Sequence, residues 1–395
     1  MSVCSIIICI GLLVFVGYDP GSVWTTMMVM LIVDAHLDIA YNVTRGRDPR
    51  QPAKDQPVVD REIATVGLPD LHAGGVGLIC ATIFCAPAGY GDRGGYSSSD
   101  EARLQALSQL KWYQGRIDEG LMRFVRRADE LPPSEVAGDP GFSPVREPPE
   151  NVGSHRAEAT PHDLKGRVTA EPLAAVLLLE GADALRTADD LPEWFDAGLR
   201  IVGLAWKQTR YAGGTGAPGP ITPAGRELVR QLDRFGIIHD ASHLAEESFW
   251  NLMEIATGPI IASHSNCRAI VGEGDRHLTD EMIRALIARG GVIGINFYDK
   301  FLIPRSQQGR RRATLADVVD HVKHICDLAG DAHHVGLGTD MDGGLGREQI
   351  PVEIRTSADL PRVAQALSCA GFGDEDVAAI MGGNWSGLFR CCLPS

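Results

Sequence analysis

The chain runs to 395 residues, 44% of them apolar, with a formal net charge of −14. That length suits one large barrel with insertions, and that charge argues against a surface built for nucleic acid or for anionic membrane. Nine scattered cysteines, an odd count without zinc-finger spacing, read as reduced and mostly buried thiols, which suits a cytoplasmic protein.

Residues 5–16 are nearly all apolar and are followed by Gly17-Tyr18-Asp19-Pro20. No Lys or Arg precedes Arg45, so the basic start of a signal peptide is missing. The run is also shorter than the ~20 residues of a membrane span. Residues 1–26 are therefore read as an over-extended start ahead of Met27, Met28 and Met30, and 27–395 as one domain. The alternative is a weak signal or anchor, which would place the protein outside the cytoplasm.

Met30-Leu31-Ile32-Val33 is an apolar, β-branched run that predicts a buried strand. It leads into Asp34-Ala35-His36-Leu37-Asp38. Residues two apart on a strand share a face, so His36 and Asp38 leave the strand together as one imidazole and one carboxylate. That pair suits a divalent ion of the zinc type. Taken alone, such a pair is more often a strand-end His beside a turn Asp. The later strand ends decide between the two.

Residues 62–73 predict a short helix closed by Gly74-Gly75, and 76–84 a second strand. Residues 86–100 form a Gly/Ser-rich loop. The spacing of Leu104, Leu107, Leu110, Ile117, Leu121 and Phe124 predicts one long helix over 101–131. Residues 132–165, rich in Pro, Gly and charge, read as a surface excursion. Further strands are predicted at 174–179, 200–205, 236–242, 259–263, 291–296 and 334–339. Between them come helices at 191–197, 222–235, 246–256, 279–289 and 314–329. Thr222, Thr279 and Thr314 are the N-caps of three of these, with Pro223 in first helical position. Two closing helices are expected at 359–369 and 374–381, with Gly382-Gly383-Asn384 as a C-cap.

Eight continuous apolar strands, mostly followed by helices, imply a parallel sheet buried on both faces. The expected fold is a (β/α)8 barrel. A doubly wound sheet is the runner-up, but it favours a Gly-rich loop after strand one, where this chain has His36 and Asp38. In a barrel, chemistry gathers at the carboxyl ends of the strands. Those ends carry His36, Asp38, Glu180, His243, His264 and Asp340. Clustered carboxylates repel unless cations lie between them, and six such groups exceed one tetrahedral site. They match two ions sharing a carboxylate, with Glu180 the natural bridge and Asp340 the proton acceptor for an ion-held hydroxide.

Asp34-Ala35-His36-Leu37-Asp38, Glu180-Gly181, Asp240-Ala241-Ser242-His243, Ile261-Ala262-Ser263-His264-Ser265-Asn266, Gly336-Leu337-Gly338-Thr339-Asp340-Met341-Asp342-Gly343 and Gly382-Gly383-Asn384-Trp385 together resemble the renal or membrane dipeptidases. These are zinc peptidases of the amidohydrolase type, and the resemblance covers residues 31–389. It implies two zinc ions (Zn2+) per chain, one on His36 and Asp38, the other on His243 and His264, with Glu180 shared. It also implies hydrolysis of dipeptides, with some tolerance for a D-residue or dehydro residue on the C-terminal side. Arg276, twelve residues after His264, falls where the family binds the substrate's terminal carboxylate. The competing reading is a solvated loop arginine.

One position departs from the family. Gly203-Leu204-Ala205-Trp206-Lys207 puts Trp206 where mammalian members have a substrate-contacting His. An indole offers one N–H donor and does not titrate, so Trp206 is expected to wall the pocket. That departure motivates the alternative function, a metal-dependent amidohydrolase acting on another small amide such as an N-acyl amino acid. A non-enzymatic binding protein is disfavoured, because a proton acceptor at Asp340 serves no structural need. The expected partner is a small dipeptide, with a homodimer the one assembly allowed for. His239 lies inside its strand and reads as core. Asn42-Val43-Thr44 and Asn384-Trp385-Ser386 match glycosylation sequons that a cytoplasmic chain does not use.

Overall fold

The computed structural model describes residues 30–89, 95–133 and 171–395. Residues 1–26 and most of the 132–165 excursion lie outside them. The described strands are β1 (Ile32–Leu37), β2 (Val76–Phe84), β3 (Met122–Phe124), β4 (Leu173–Glu180), β5 (Leu199–Gly203), β6 (Ile238–Asp240), β7 (Ile260–Ile261), β8 (Ile293–Ile295) and β9 (Val335–Leu337). All pair in parallel, in the order β7-β6-β5-β4-β2-β1-β9-β8. A parallel bridge between Ala262 and Ile293 joins the two ends. Ser265 N donates to Gly294 O at 2.7 Å across the same seam. The result is the eight-stranded barrel that the apolar runs imply.

Alternation along β4 shows how the barrel sorts its side chains. Ala174, Val176 and Leu178 pack with Val33, Ala35, Leu78, Cys80, Ile201, Ile238 and Ile261. Only the interior brings residues from six strands together. Leu173, Ala175, Leu177 and Leu179 pack outward against the helices. Glu180 keeps the parity of 174, 176 and 178, so it closes the inward face at the carboxyl end. Trp385, Leu388 and Phe389 join the interior cluster from the opposite end, near Leu31.

Three expectations need correction. The 62–73 segment is helical only over Leu68–Ala73. Pro69 has no N–H to give and fits only the first turn, and Val59 and Glu62 form an antiparallel bridge instead. The long helix predicted over 101–131 ends at Asp118. Gly120, at φ 72°, turns the chain back, and β3 then pairs with Leu173–Ala175 of β4, below the stretch taken by β5. Gly382-Gly383-Asn384 is no C-cap. The chain passes through one wide turn at Ala379–Gly383 straight into the helix Asn384–Cys392. A Cβ at Gly382 would lie 2.2 Å from Leu31 O, so close approach to the strand is what requires glycine.

Thr222 and Thr279 cap their helices by accepting from Gly225 N and Met282 N. His239 is buried and bonds Asp233 Oδ1 at 2.8 Å, a core histidine. Asn42 and Asn384 are both buried, so neither sequon is presented at the surface. No described helix is long and apolar enough to cross a membrane.

Candidate metal centre

His36 is the penultimate residue of β1, and Asp38, just past the strand, sits at the N-terminus of the helix Ile39–Thr44. His243 and Asp340 both lie in the left-handed backbone region, at φ 67° and 58°. Such a conformation is costly outside glycine and concentrates at functional sites. Here it turns both side chains back across the barrel mouth.

The six groups predicted from the strand ends do converge. Glu180 divides its two oxygens between two sets of partners. His36 Nε2 lies 3.5 Å from Oε2, whereas His243 Nε2 and His264 Nε2 lie 3.1 and 3.4 Å from Oε1. His36 Nε2 is also 3.8 Å from Asp38 Oδ2. Among the described residues, His36, Glu180 and His264 form one group able to hold an ion, and His36, Asp38 and Asp340 another.

These residues fit divalent ions on the chemistry of the donors. His36 Nε2 and Asp38 Oδ1 are buried without a hydrogen-bond partner, a costly state for polar atoms. Neighbouring ligands of a tetrahedral zinc, at bond lengths of ~2.0–2.1 Å, stand about 3.3 Å apart. The spacings around Glu180 bracket that value. Each ring's other nitrogen is tied to the scaffold, as ligand histidines require. His243 Nδ1 meets Thr215 Oγ1 at 3.0 Å, and His264 Nδ1 and His36 Nδ1 meet Ser263 Oγ at 2.7 and 3.2 Å.

Burial and charge split the titrations. Burial pulls His36 down, but Glu180 and Asp38 outweigh it and hold the ring well above the usual imidazole range. Burial, then Arg276, lowers His243 to about 4, and burial, His36 and Arg276 hold His264 far down. Burial pushes Glu180 up, yet its three histidines bring it well below the ordinary carboxylate range. Burial raises Asp340 to about 8. Two divalent ions beside it would favour the ionised carboxylate instead.

Arg276 is buried, which overturns the solvated-loop reading. It donates to His264 O at 2.6 Å and Ser265 Oγ at 3.1 Å, while its Nε has no partner in the protein. Trp206 is part of an aromatic wall. Its ring stands 6.0 Å from His243 and 5.3 Å from Phe84, which in turn meets Tyr41 at 5.1 Å. Asp342 faces away from the ion ligands. Its carboxylate accepts from Thr65 N, Thr65 Oγ1 and Val66 N at 2.8, 2.7 and 3.0 Å, and pairs with Arg47 at 3.1 Å. Sequence reasoning missed Ser263, Asp240, Thr215 and Asn296. Asn296 Nδ2 donates to Asp340 Oδ2 at 2.8 Å, and its place at the end of β8 was the one available signal.

Comparison with known proteins bears on the family. An uncharacterized protein in the pqqA 5′ region of Klebsiella pneumoniae is 34% identical over 225 residues, 54% of this chain and 80% of that protein. Dipeptidase tcpJ of Claviceps purpurea is 32% identical over 221 residues, so the match takes in 53% of this chain but only 49% of that relative. A crystal structure of a metallo peptidase from Rhodobacter sphaeroides shares the fold, with a TM-score of 0.70 at 23% identity, over 92% of this chain and 99% of that one. The profile of the membrane dipeptidase family, peptidase family M19, matches residues 153–391. That span includes the strand ends bearing Glu180, His243, His264 and Asp340, and the chain belongs to the membrane dipeptidase family of metallopeptidases.

Proposed function

We propose that this chain is a two-ion dipeptidase, in which His36 and Asp38 hold one ion, His243 and His264 the other, and Glu180 is shared. The observation that carries this reading is the division of Glu180, with Oε2 toward His36 and Oε1 toward His243 and His264. Two divalent ions, when bound, polarise the scissile carbonyl and lower the pKa of the attacking water. Zinc suits a mixed imidazole and carboxylate set.

The remaining steps belong to the chain's own side chains. Asp340, oriented by Asn296, takes the proton and returns it to the leaving amine. Arg276 receives the substrate's terminal carboxylate through the free Nε edge of its guanidinium. Its bond to the backbone carbonyl of His264 ties that receptor to an ion ligand itself. A carboxylate receptor there suits a substrate with a single residue after the scissile bond, as a dipeptide has.

A second reading rests on the wall formed by Tyr41, Phe84 and Trp206. An N-acyl amino acid offers the same terminal carboxylate and would lay its acyl chain on those rings. A panel of L-L and L-D dipeptides and N-acyl amino acids, assayed with and without zinc, separates the two. Zinc-dependent cleavage of dipeptides is expected. Cleavage of N-acyl amino acids alone would favour the second reading, and turnover of neither class with zinc would sink both.

A further inference from the structure

A single hydroxyl touches one histidine from each ion's ligand set. Ser263 Oγ lies 3.2 Å from His36 Nδ1 and 2.7 Å from His264 Nδ1, beneath two rings stacked at 3.6 Å. A serine hydroxyl has one proton to give and two lone pairs to receive with. Its proton is committed, because Ser263 Oγ donates to Asp240 Oδ2 at 2.5 Å. Asp240 is itself pinned, accepting at Oδ1 from the backbone N–H of Ser242 and of Ser263, both at 2.9 Å. Ser242 Oγ, at 3.4 Å, is the fourth and longest contact of the hydroxyl.

The direction of these bonds settles the histidines. With its proton on Asp240, Ser263 Oγ can only accept from the rings. Both therefore carry hydrogen on Nδ1, which leaves Nε2, the nitrogen facing Glu180, as the one available to an ion. The serine cannot drift, since it is fully buried and its carbonyl is wedged between two glycines. A Cβ at Gly294 or Gly338 would stand 1.9 or 1.8 Å from Ser263 O.

We infer that Ser263, oriented by Asp240, is a positioning residue that sets the tautomer of His36 and His264 together, so that the affinities of both ions depend on one hydroxyl. This rests on the two-ion reading above. Thr215 provides the contrast, because its hydroxyl meets His243 and neither of the other two rings.

The test strips wild type, Ser263→Ala, Asp240→Asn and Thr215→Val of metal. It then measures the affinity of each zinc ion by chelator competition and the melting temperature of the stripped proteins. Losing such an outer partner typically costs ~10–100-fold in metal affinity. Ser263→Ala should weaken both ions by that order, and Thr215→Val only one. Asp240→Asn keeps the shape but offers an N–H to Ser263 Oγ, freeing the serine proton to point at a ring. It should lose zinc affinity with an unchanged melting temperature of the stripped protein, which a purely structural role would not produce. It also carries the test if Ser263→Ala fails to fold. Wild-type affinity for both ions in Ser263→Ala, or in Asp240→Asn if that alone folds, overturns the inference. Fewer than two zinc ions on the wild type would instead overturn the two-ion reading.

Discussion

His243 Nε2 and His264 Nε2 stand 3.0 Å apart, while each ring's Nδ1 is tied to a hydroxyl, Thr215 Oγ1 at 3.0 Å and Ser263 Oγ at 2.7 Å. Burial keeps both rings neutral near pH 7. Two lone pairs so placed repel unless something positive lies between them, and Glu180 Oε1 closes the third side.

Zinc loading should therefore be a proton-releasing event. At pH 7 the metal-free centre holds a proton on His36, kept well above the imidazole range, and one on Asp340, raised to about 8. An ion displaces both, so about two protons per chain should appear. Both groups have folded values above their unfolded ones. Their contribution is complete below the unfolded values and is lost as pH rises through the folded ones. The metal-free protein should thus lose stability through about pH 8 because of Asp340. Calorimetric titration in buffers of different ionisation enthalpy counts the protons. A count of zero would refute the assignment.

Arg276→Ala should cost dipeptides about 10- to 100-fold in kcat/KM, the scale of a hydrogen bond to a charged group. Dipeptide C-terminal amides lack the charge and should lose far less. They also control for general damage, since Arg276 holds His264 O. Equal loss on both substrates would give Arg276 a structural role only.

Asp340 and Asp342 sit two residues apart and should fail in different ways. Asp340→Asn should fold, keep most of its metal and lose turnover by ~10²–10⁴-fold. Asp342→Ala removes one side of the buried pair with Arg47 and three further bonds. It should lower stability by ~3–5 kcal/mol, read as a fall in melting temperature, with activity following the folded fraction. The opposite pattern would exchange the two roles.

Gly338→Ala places a methyl group 1.8 Å from the Ser263 carbonyl, and that backbone has nowhere to go. The cost should exceed the ~1–3 kcal/mol usual for overpacking, seen as insoluble protein or a much lower melting temperature. A variant with wild-type melting behaviour would show that β9 and Ser263 can separate.

The strand ends were legible because a parallel barrel leaves few choices. Continuous apolar runs require burial on both faces, and burial on both faces in βα order brings every carboxyl end to one mouth. His36, Asp38, Glu180, His243, His264 and Asp340 could be gathered on that ground. Their neighbours could not. Nothing local marks Ser263 as the partner of His36, which is 227 residues away. Arg276 stood undecided between loop and receptor until its burial was known.

By itself the sequence determined the barrel, the ring of ligand-type groups and the family, because periodicity and strand-end chemistry act over a few residues. Tertiary structure alone decided which nitrogen of each histidine faces Glu180, which aspartate of the 340/342 pair gathers with His36 and Asp38, and why Gly382-Gly383-Asn384 continues a helix. Those outcomes depend on hydrogen-bond direction and on close backbone approach between segments far apart in the chain, and neither is encoded in the local pattern.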